Sequence, residues 1–133
     1  MSSYLLDTHV VLWLLFDVDK IPNSTLEIIK NTDNEIYISA ASFWEISIKY
    51  KLNKLDLNNL NVSELPIIFK EKGYKIIPIL CDETATLWEL KLDYHKDPFD
   101  RILIWQAIKN TFIFISNDVN MNPYRMEGLR LLW

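Results

Sequence analysis

The chain alternates between short unbroken apolar runs and longer stretches in which apolar residues recur at helical spacing. Tyr4-Leu5-Leu6 has no polar interruption before Asp7, which predicts a short buried strand over residues 3–7. His9 to Phe16 predicts an apolar helix that ends at the Asp17-Val18-Asp19 turn. Ser24-Thr25-Leu26-Glu27 has the spacing of a capping box, so a helix is expected to open at Ser24 and run to Lys30 or Asn31. The β-branched and aromatic residues of Glu35 to Ser39 predict a second strand, followed by a helix over Ala41 to Leu52. Beyond the polar stretch Asn53 to Asn61, a helix is expected from Ser63 to Lys72, stopped by Gly73. Lys75 to Leu80 predicts a third strand, in which Pro78 removes a ladder donor and so points to a sheet edge or an irregular position. Asp82 is placed to cap a helix reaching about Leu92, and Asp97-Pro98 supplies an N-cap and first-turn proline for a helix over Pro98 to Asn110. Phe112 to Ile115 predicts a fourth strand and Arg130 to Trp133 a fifth.

Strands that alternate with helices imply right-handed crossovers and an α/β fold, with a mainly parallel central sheet of four to five strands flanked by helices. No repeat or Gly/Ser linker divides the chain, so residues 1–133 are expected to form one domain. With 50% apolar residues, 13% aromatics and only 2 glycines, the composition is that of a packed core and excludes a disordered or collagen-like chain. A lone cysteine, Cys81, and two histidines exclude an internal disulfide and a four-ligand Cys/His zinc site, and fit a reducing compartment. The apolar run Val10 to Phe16 is far short of a bilayer span, and the first residues lack the positive segment of a secretory signal. A cytoplasmic protein without membrane contact is expected.

Lys and Arg number 14 against 18 Asp and Glu, a net charge of −4 that argues against nucleic-acid binding by bulk charge. Gathering four carboxylates at one metal site would leave 14 against 14, which permits a local basic patch.

In a parallel sheet the carboxyl ends of the strands open onto one crevice. Asp7 ends the first strand and Asp118 follows the fourth in Ser116-Asn117-Asp118, so both are expected to face it. As isolated residues, both also read as turn or cap positions. Glu45 lies on the helix after the second strand, where a surface pair with Lys49 is the simpler explanation. Asp97 and Asp100 begin the helix opened by Pro98, and capping accounts for Asp97 better than for Asp100. Carboxylates converging from separate segments repel unless a cation neutralises them, and an all-oxygen set suits Mg²⁺ or Mn²⁺. Such a centre makes bound water more acidic and stabilises charge on a phosphoryl oxygen, the chemistry of phosphodiester hydrolysis, which would leave a 5′-phosphate if water attacks in line and the 3′-oxygen departs.

Three segments carry a family resemblance: Tyr4-Leu-Leu-Asp-Thr-His-Val-Val-Leu-Trp-Leu-Leu15, Ile38-Ser-Ala-Ala-Ser-Phe-Trp-Glu-Ile-Ser-Ile-Lys-Tyr-Lys-Leu52 and His95-Lys-Asp-Pro-Phe-Asp-Arg-Ile-Leu-Ile-Trp-Gln-Ala107. Together with Ser116-Asn-Asp118 and Leu131-Leu-Trp133, they resemble the PIN domains of VapC-type toxins from bacterial toxin-antitoxin pairs. The resemblance implies a PIN fold and a Mg²⁺- or Mn²⁺-dependent endoribonuclease. It places the acidic site on Asp7, Glu45, Asp100 and Asp118, which serve both as metal ligands and as catalytic groups. It also implies a homodimer and a cognate antitoxin that inserts a basic side chain among the carboxylates. The last motif usually reads Thr-x-Asp, and here Ser116 keeps the hydroxyl.

Thr8, Ser116, Asp97, His95 and Arg101 are expected to support this site or its substrate, although Asp97 reads equally as a cap and His95 equally as an exposed loop residue; Lys49, Lys51, Lys54 and Arg101 are candidates for phosphate contacts, while lysine runs more often form solvated faces. Ser39 and Ser42 read as caps or supporting donors, His9 as shaping the turn after Asp7, and Cys81 as a buried small hydrophobe. Trp13, Phe43, Trp44, Trp88, Phe99 and Trp105 read mostly as core. Two other readings compete. A haloacid-dehalogenase-like phosphatase would need a second Asp where His9 stands, and a non-catalytic PIN-like interaction module would be expected to have lost some of the carboxylates.

Overall fold

Successive side chains of a strand point to opposite faces, and in β1 (Ser3–Leu6) both faces are apolar. Tyr4 and Leu6 join one core while Leu5 joins another, so the first strand is sandwiched between two layers. The computed structural model describes residues 2–133. Its five strands, β1, β2 (Glu35–Ser39), β3 (Lys75–Ile77), β4 (Ile113–Ile115) and β5 (Arg130–Leu132), form one sheet in the order β3-β2-β1-β4-β5. Every pairing is parallel, with Leu5 opposite Tyr37 on one side and Phe114 on the other. This is the α/β architecture expected, with all five strands present and β3 at an edge.

The connecting helices are α1 (Thr8–Phe16), α2 (Asn23–Lys30), α3 (Ala40–Lys51), α4 (Leu65–Glu71), α5 (Cys81–Thr86) and α6 (Pro98–Lys109). One core gathers Leu6, Ile36, Ile38 and Ile115 from the sheet against Val10 and Val11 of α1, Ile46 of α3 and Phe69 of α4. The other gathers Leu5 and Phe114 against Ile102, Leu103, Ile104 and Trp105 of α6, with Met121 and Tyr124. Each fully buried aliphatic side chain contributes about 1.5–3 kcal/mol. The chain leaves the central strand towards β2 and β3, then crosses back to β4 and β5 on its other side. That reversal opens a crevice at the carboxyl ends of β1 and β4.

Several local expectations are corrected. The strand ends at Leu6, and Asp7 is the cap of α1. Helix α2 opens at Asn23 behind Pro22, whose side chain has no acceptor to cap it; the Pro22 carbonyl accepts the Leu26 amide, so Ser24 lies inside the first turn. Strand β3 stops at Ile77, before the missing amide of Pro78. Helix α5 is capped at Leu80, whose amide donates to Glu83 Oε1 at 2.9 Å, so Asp82 falls in the first turn. The helix gives way at Leu87–Glu89 to a short 3₁₀ turn and does not reach Leu92. Gly73 follows α4 at φ 95°, the left-handed position assigned to it from sequence. Among the described residues no helix is long and apolar enough to cross a membrane.

Candidate active site

The crevice is built from residues at the ends of apolar elements. Asp7 leaves β1 with extended backbone, and its Oδ1 accepts the Thr8 amide at 2.8 Å, which starts α1. Its Oδ2 accepts the Ser116 hydroxyl at 2.7 Å, a bond spanning the crevice from the end of β4. Ser116 Oγ also accepts the Asp118 amide at 3.1 Å, so one hydroxyl positions two acidic residues. Thr8 and Ser42 hydroxyls meet at 2.9 Å and tie the start of α1 to α3, while Ser39 caps α3 through the Ala41 amide. These contacts tie the start of α1 to α3 and to the end of β4.

Glu45 projects from α3 with only 6% exposure. Its Oε2 lies 2.9 Å from Lys49 Nζ, so the helical pair expected from sequence forms, but with a buried carboxylate. Its Oε1 is buried without a hydrogen-bond partner. From the start of α6, Asp97 Oδ1 accepts the Phe99 amide at 2.8 Å and the Asp100 amide at 3.4 Å, leaving the Asp100 carboxylate to the crevice.

The electrostatics show which groups share a neighbourhood. Burial pushes the Asp100 carboxyl up to about 7, helped by the negative charges of Asp7, Asp97 and Glu45 and opposed by His95. Burial likewise raises Asp7, with Glu45 adding to it and Ser116, His9 and the Thr8 amide pulling the other way. Asp100 therefore lies within electrostatic reach of Asp7, Asp97 and Glu45, and Asp7 within reach of Glu45. At Asp118 partial burial would raise the carboxyl, but the His95 ring and the Asn120 amide outweigh that and hold it below the usual carboxylate range.

The donor set is all oxygen, one buried carboxylate oxygen is unpartnered, and burial together with the neighbouring negative charges raises the Asp100 carboxyl to about 7. These properties fit a hard divalent cation. Among the described residues, however, no three His, Cys, Asp or Glu side chains converge closely enough to enclose an ion as they stand. Donor chemistry and charge fit such an ion.

The PIN domain family model matches residues 4–125, a span that contains every one of these acidic residues. The chain belongs to the PIN domain family. Ribonuclease VapC22 of Mycobacterium tuberculosis is 22% identical over 133 residues, covering all of both chains. Among solved structures, VapBC2 from Rickettsia felis bound to a promoter DNA fragment superposes with a TM-score of 0.71 at 19% identity, covering 98% of this chain and 97% of that one. VapBC-1 from nontypeable Haemophilus influenzae gives 0.67 at 15% identity, covering 98% and 96%. VapBC-5 from Mycobacterium tuberculosis gives 0.62 at 13%, covering 99% and 98%. These structures share the PIN fold of this chain.

Within this PIN domain some residues sit where sequence did not place them. Arg101, expected at a phosphate, is occupied by the loop before α6: its guanidinium donates to the carbonyls of Leu90, Leu92 and His95 and pairs with Asp93. Cys81 is exposed, because it opens α5 beyond the sheet edge. Trp44 and Trp88 are exposed rather than core; Trp44 meets Phe99 edge to face at 4.9 Å beside the acidic cluster. Tyr124, whose hydroxyl accepts the His95 amide at 2.9 Å, was not singled out from sequence, and a partner 29 residues away leaves no local signal.

Proposed function

We propose that this chain is a divalent-metal-dependent endoribonuclease and the toxin of a toxin-antitoxin pair. The observation that carries this reading is that Asp100, near the carboxyl ends of a parallel sheet, is raised to about 7 by burial and by the nearby charges of Asp7, Asp97 and Glu45. The full-length similarity to a named VapC ribonuclease, and to chains solved as VapBC complexes, supports RNA as substrate and an antitoxin as partner. His9 stands where a haloacid-dehalogenase-like phosphatase needs its second Asp, and the intact acidic set disfavours a non-catalytic module.

Asp7, Glu45 and Asp100 would hold Mg²⁺ or Mn²⁺, with Asp118 placed to hold a second ion or to orient the attacking water. The ion supplies positive charge that makes water more acidic and stabilises charge developing on phosphoryl oxygen. The protein's part is orientation. Thr8 and Ser116 fix both oxygens of Asp7, Asp97 anchors the first turn that presents Asp100, and His95 restrains Asp118. Glu45 contributes an oxygen that no protein donor satisfies. The chain is expected to act as a homodimer, and an antitoxin supplying a basic side chain would replace the ion's charge and silence the site.

Sequencing of RNA ends after brief expression of the parent and of Asp7→Asn tests the reading. New 5′-phosphate ends in the parent alone, abolished by EDTA in the purified reaction, are the expected result. Cleavage that persists in EDTA, or in Asp7→Asn, overturns it.

A further inference from the structure

We propose that Lys49 is a built-in counter-ion of the acidic site: it holds Glu45 in the metal-free protein, exchanges with the divalent cation, and once released binds a phosphodiester oxygen of the RNA. This rests on the ribonuclease reading above and deepens it.

Residues four apart on a helix lie on one face, and such a pair at a surface contributes a few tenths of a kcal/mol. This pair is not of that kind. The Glu45 side chain is 8% exposed and the Lys49 side chain 40%, so the ammonium pairs with a buried carboxylate. Partial burial works against the Lys49 charge, but Glu45, Asp97 and Asp100 outweigh it and hold the ammonium above the usual lysine range. Those three carboxylates belong to the cluster that would surround the metal. Among the described residues Lys49 is the Lys or Arg side chain paired with a site carboxylate, since Arg101 pairs with Asp93 outside it.

Glu45 has one oxygen on Lys49 and the other buried without a partner. A divalent ion drawn to Glu45 meets the ammonium at close range, where two cations repel strongly. Once displaced, the ammonium stands on a flexible four-carbon stem at the mouth of the site, a point charge suited to a phosphate oxygen. Metal loading would then create the RNA contact, and metal-free protein would bind RNA poorly.

The test compares the parent with Lys49→Gln, Lys49→Met and Lys49→Arg, all as full chains. Mg²⁺ is titrated alone while the melting temperature is followed, and RNA cleavage kinetics are then measured at saturating Mg²⁺. Lys49→Gln should lower the Mg²⁺ midpoint about three- to tenfold, because a competing charge is gone. Lys49→Met keeps the apolar stem and should shift it the same way, whereas Lys49→Arg should stay near the parent. KM for RNA should rise about three- to tenfold in both neutral variants, with kcat changed less. A midpoint unchanged or raised in the neutral variants overturns the counter-ion role, and an unchanged KM overturns the phosphate contact. A parent that shows no response to Mg²⁺ overturns the metal reading itself and this assignment with it.

Discussion

His95 Nε2 lies 2.7 Å from Asp118 Oδ2, so a residue of the loop before α6 restrains the acidic residue after β4. The histidine is 8% exposed, and its amide is fixed on the Tyr124 hydroxyl. Asp118 Oδ1 accepts the Asn120 amide at 2.9 Å, which leaves the carboxylate little freedom. Orienting groups of this kind commonly change metal affinity or activity by about 10- to 100-fold when removed. His95→Ala should therefore lower kcat/KM for RNA by about that factor, while His95→Gln, which keeps a donor, should recover part of it. Circular dichroism of both variants checks that the fold survives; parent-like kinetics for His95→Ala would show the contact to be incidental.

Asp100 provides a test of clustering that needs no substrate. Its carboxyl lies at about 7 in the folded protein against an ordinary value of 3.8, so the native state holds a proton that the unfolded state releases. The sign follows directly: metal-free protein should lose stability as pH rises from about 4 to about 7, with the penalty complete above that window and absent below it. Asp100→Asn should flatten this slope and raise the melting temperature in EDTA at pH 8. A steeper decline in the mutant would contradict the clustering.

Mg²⁺ should reverse that penalty in the parent. A ligand present at about 100 times its Kd stabilises by about 2.7 kcal/mol. Thermal melts should show a clear upward shift for the parent and a smaller one for Asp100→Asn. Equal shifts would remove Asp100 from the ligand set.

Ser116 holds Asp7 Oδ2 and the Asp118 amide with one hydroxyl, and it is buried. Ser116→Ala strands both partners and should destabilise by about 1–3 kcal/mol in urea unfolding. Ser116→Thr keeps the hydroxyl and should retain most RNA cleavage. Loss of cleavage in both variants alike would mean that the hydroxyl is not the feature that matters.

The loop carrying His95 is wound on Arg101, whose planar fork donates to three carbonyls. A lysine at this position has a single ammonium and cannot span them. Arg101→Lys should cost about 1–3 kcal/mol and expose the segment from Leu90 to His95 to proteolysis. An unchanged digestion pattern would argue against the clamp.

What the residues alone determined was local. Unbroken apolar runs such as Leu5-Leu6 and Phe112 to Ile115 marked buried parallel strands, and Asp97-Pro98 marked the start of α6, because period and capping act within a few residues. The acidic positions at strand and helix ends were legible for the same reason, and the family motif tied Asp7, Glu45, Asp100 and Asp118 together. Near Pro22 and Leu80 the local signals misled, since carbonyl and carboxylate partners outside the assumed cap took the free amides.

Tertiary structure decided the rest. It set β1 between β2 and β4, which brings Ser116 onto Asp7 across 109 residues, and it turned Arg101 from a phosphate contact into a loop clamp. It also set Asp100 within electrostatic reach of Asp7, Asp97 and Glu45, and it placed His95 against Asp118. Burial is the physical reason. The charge of a carboxylate can be read from sequence, but what that charge costs, and which neighbour relieves it, depends on the chain segments that fold around it.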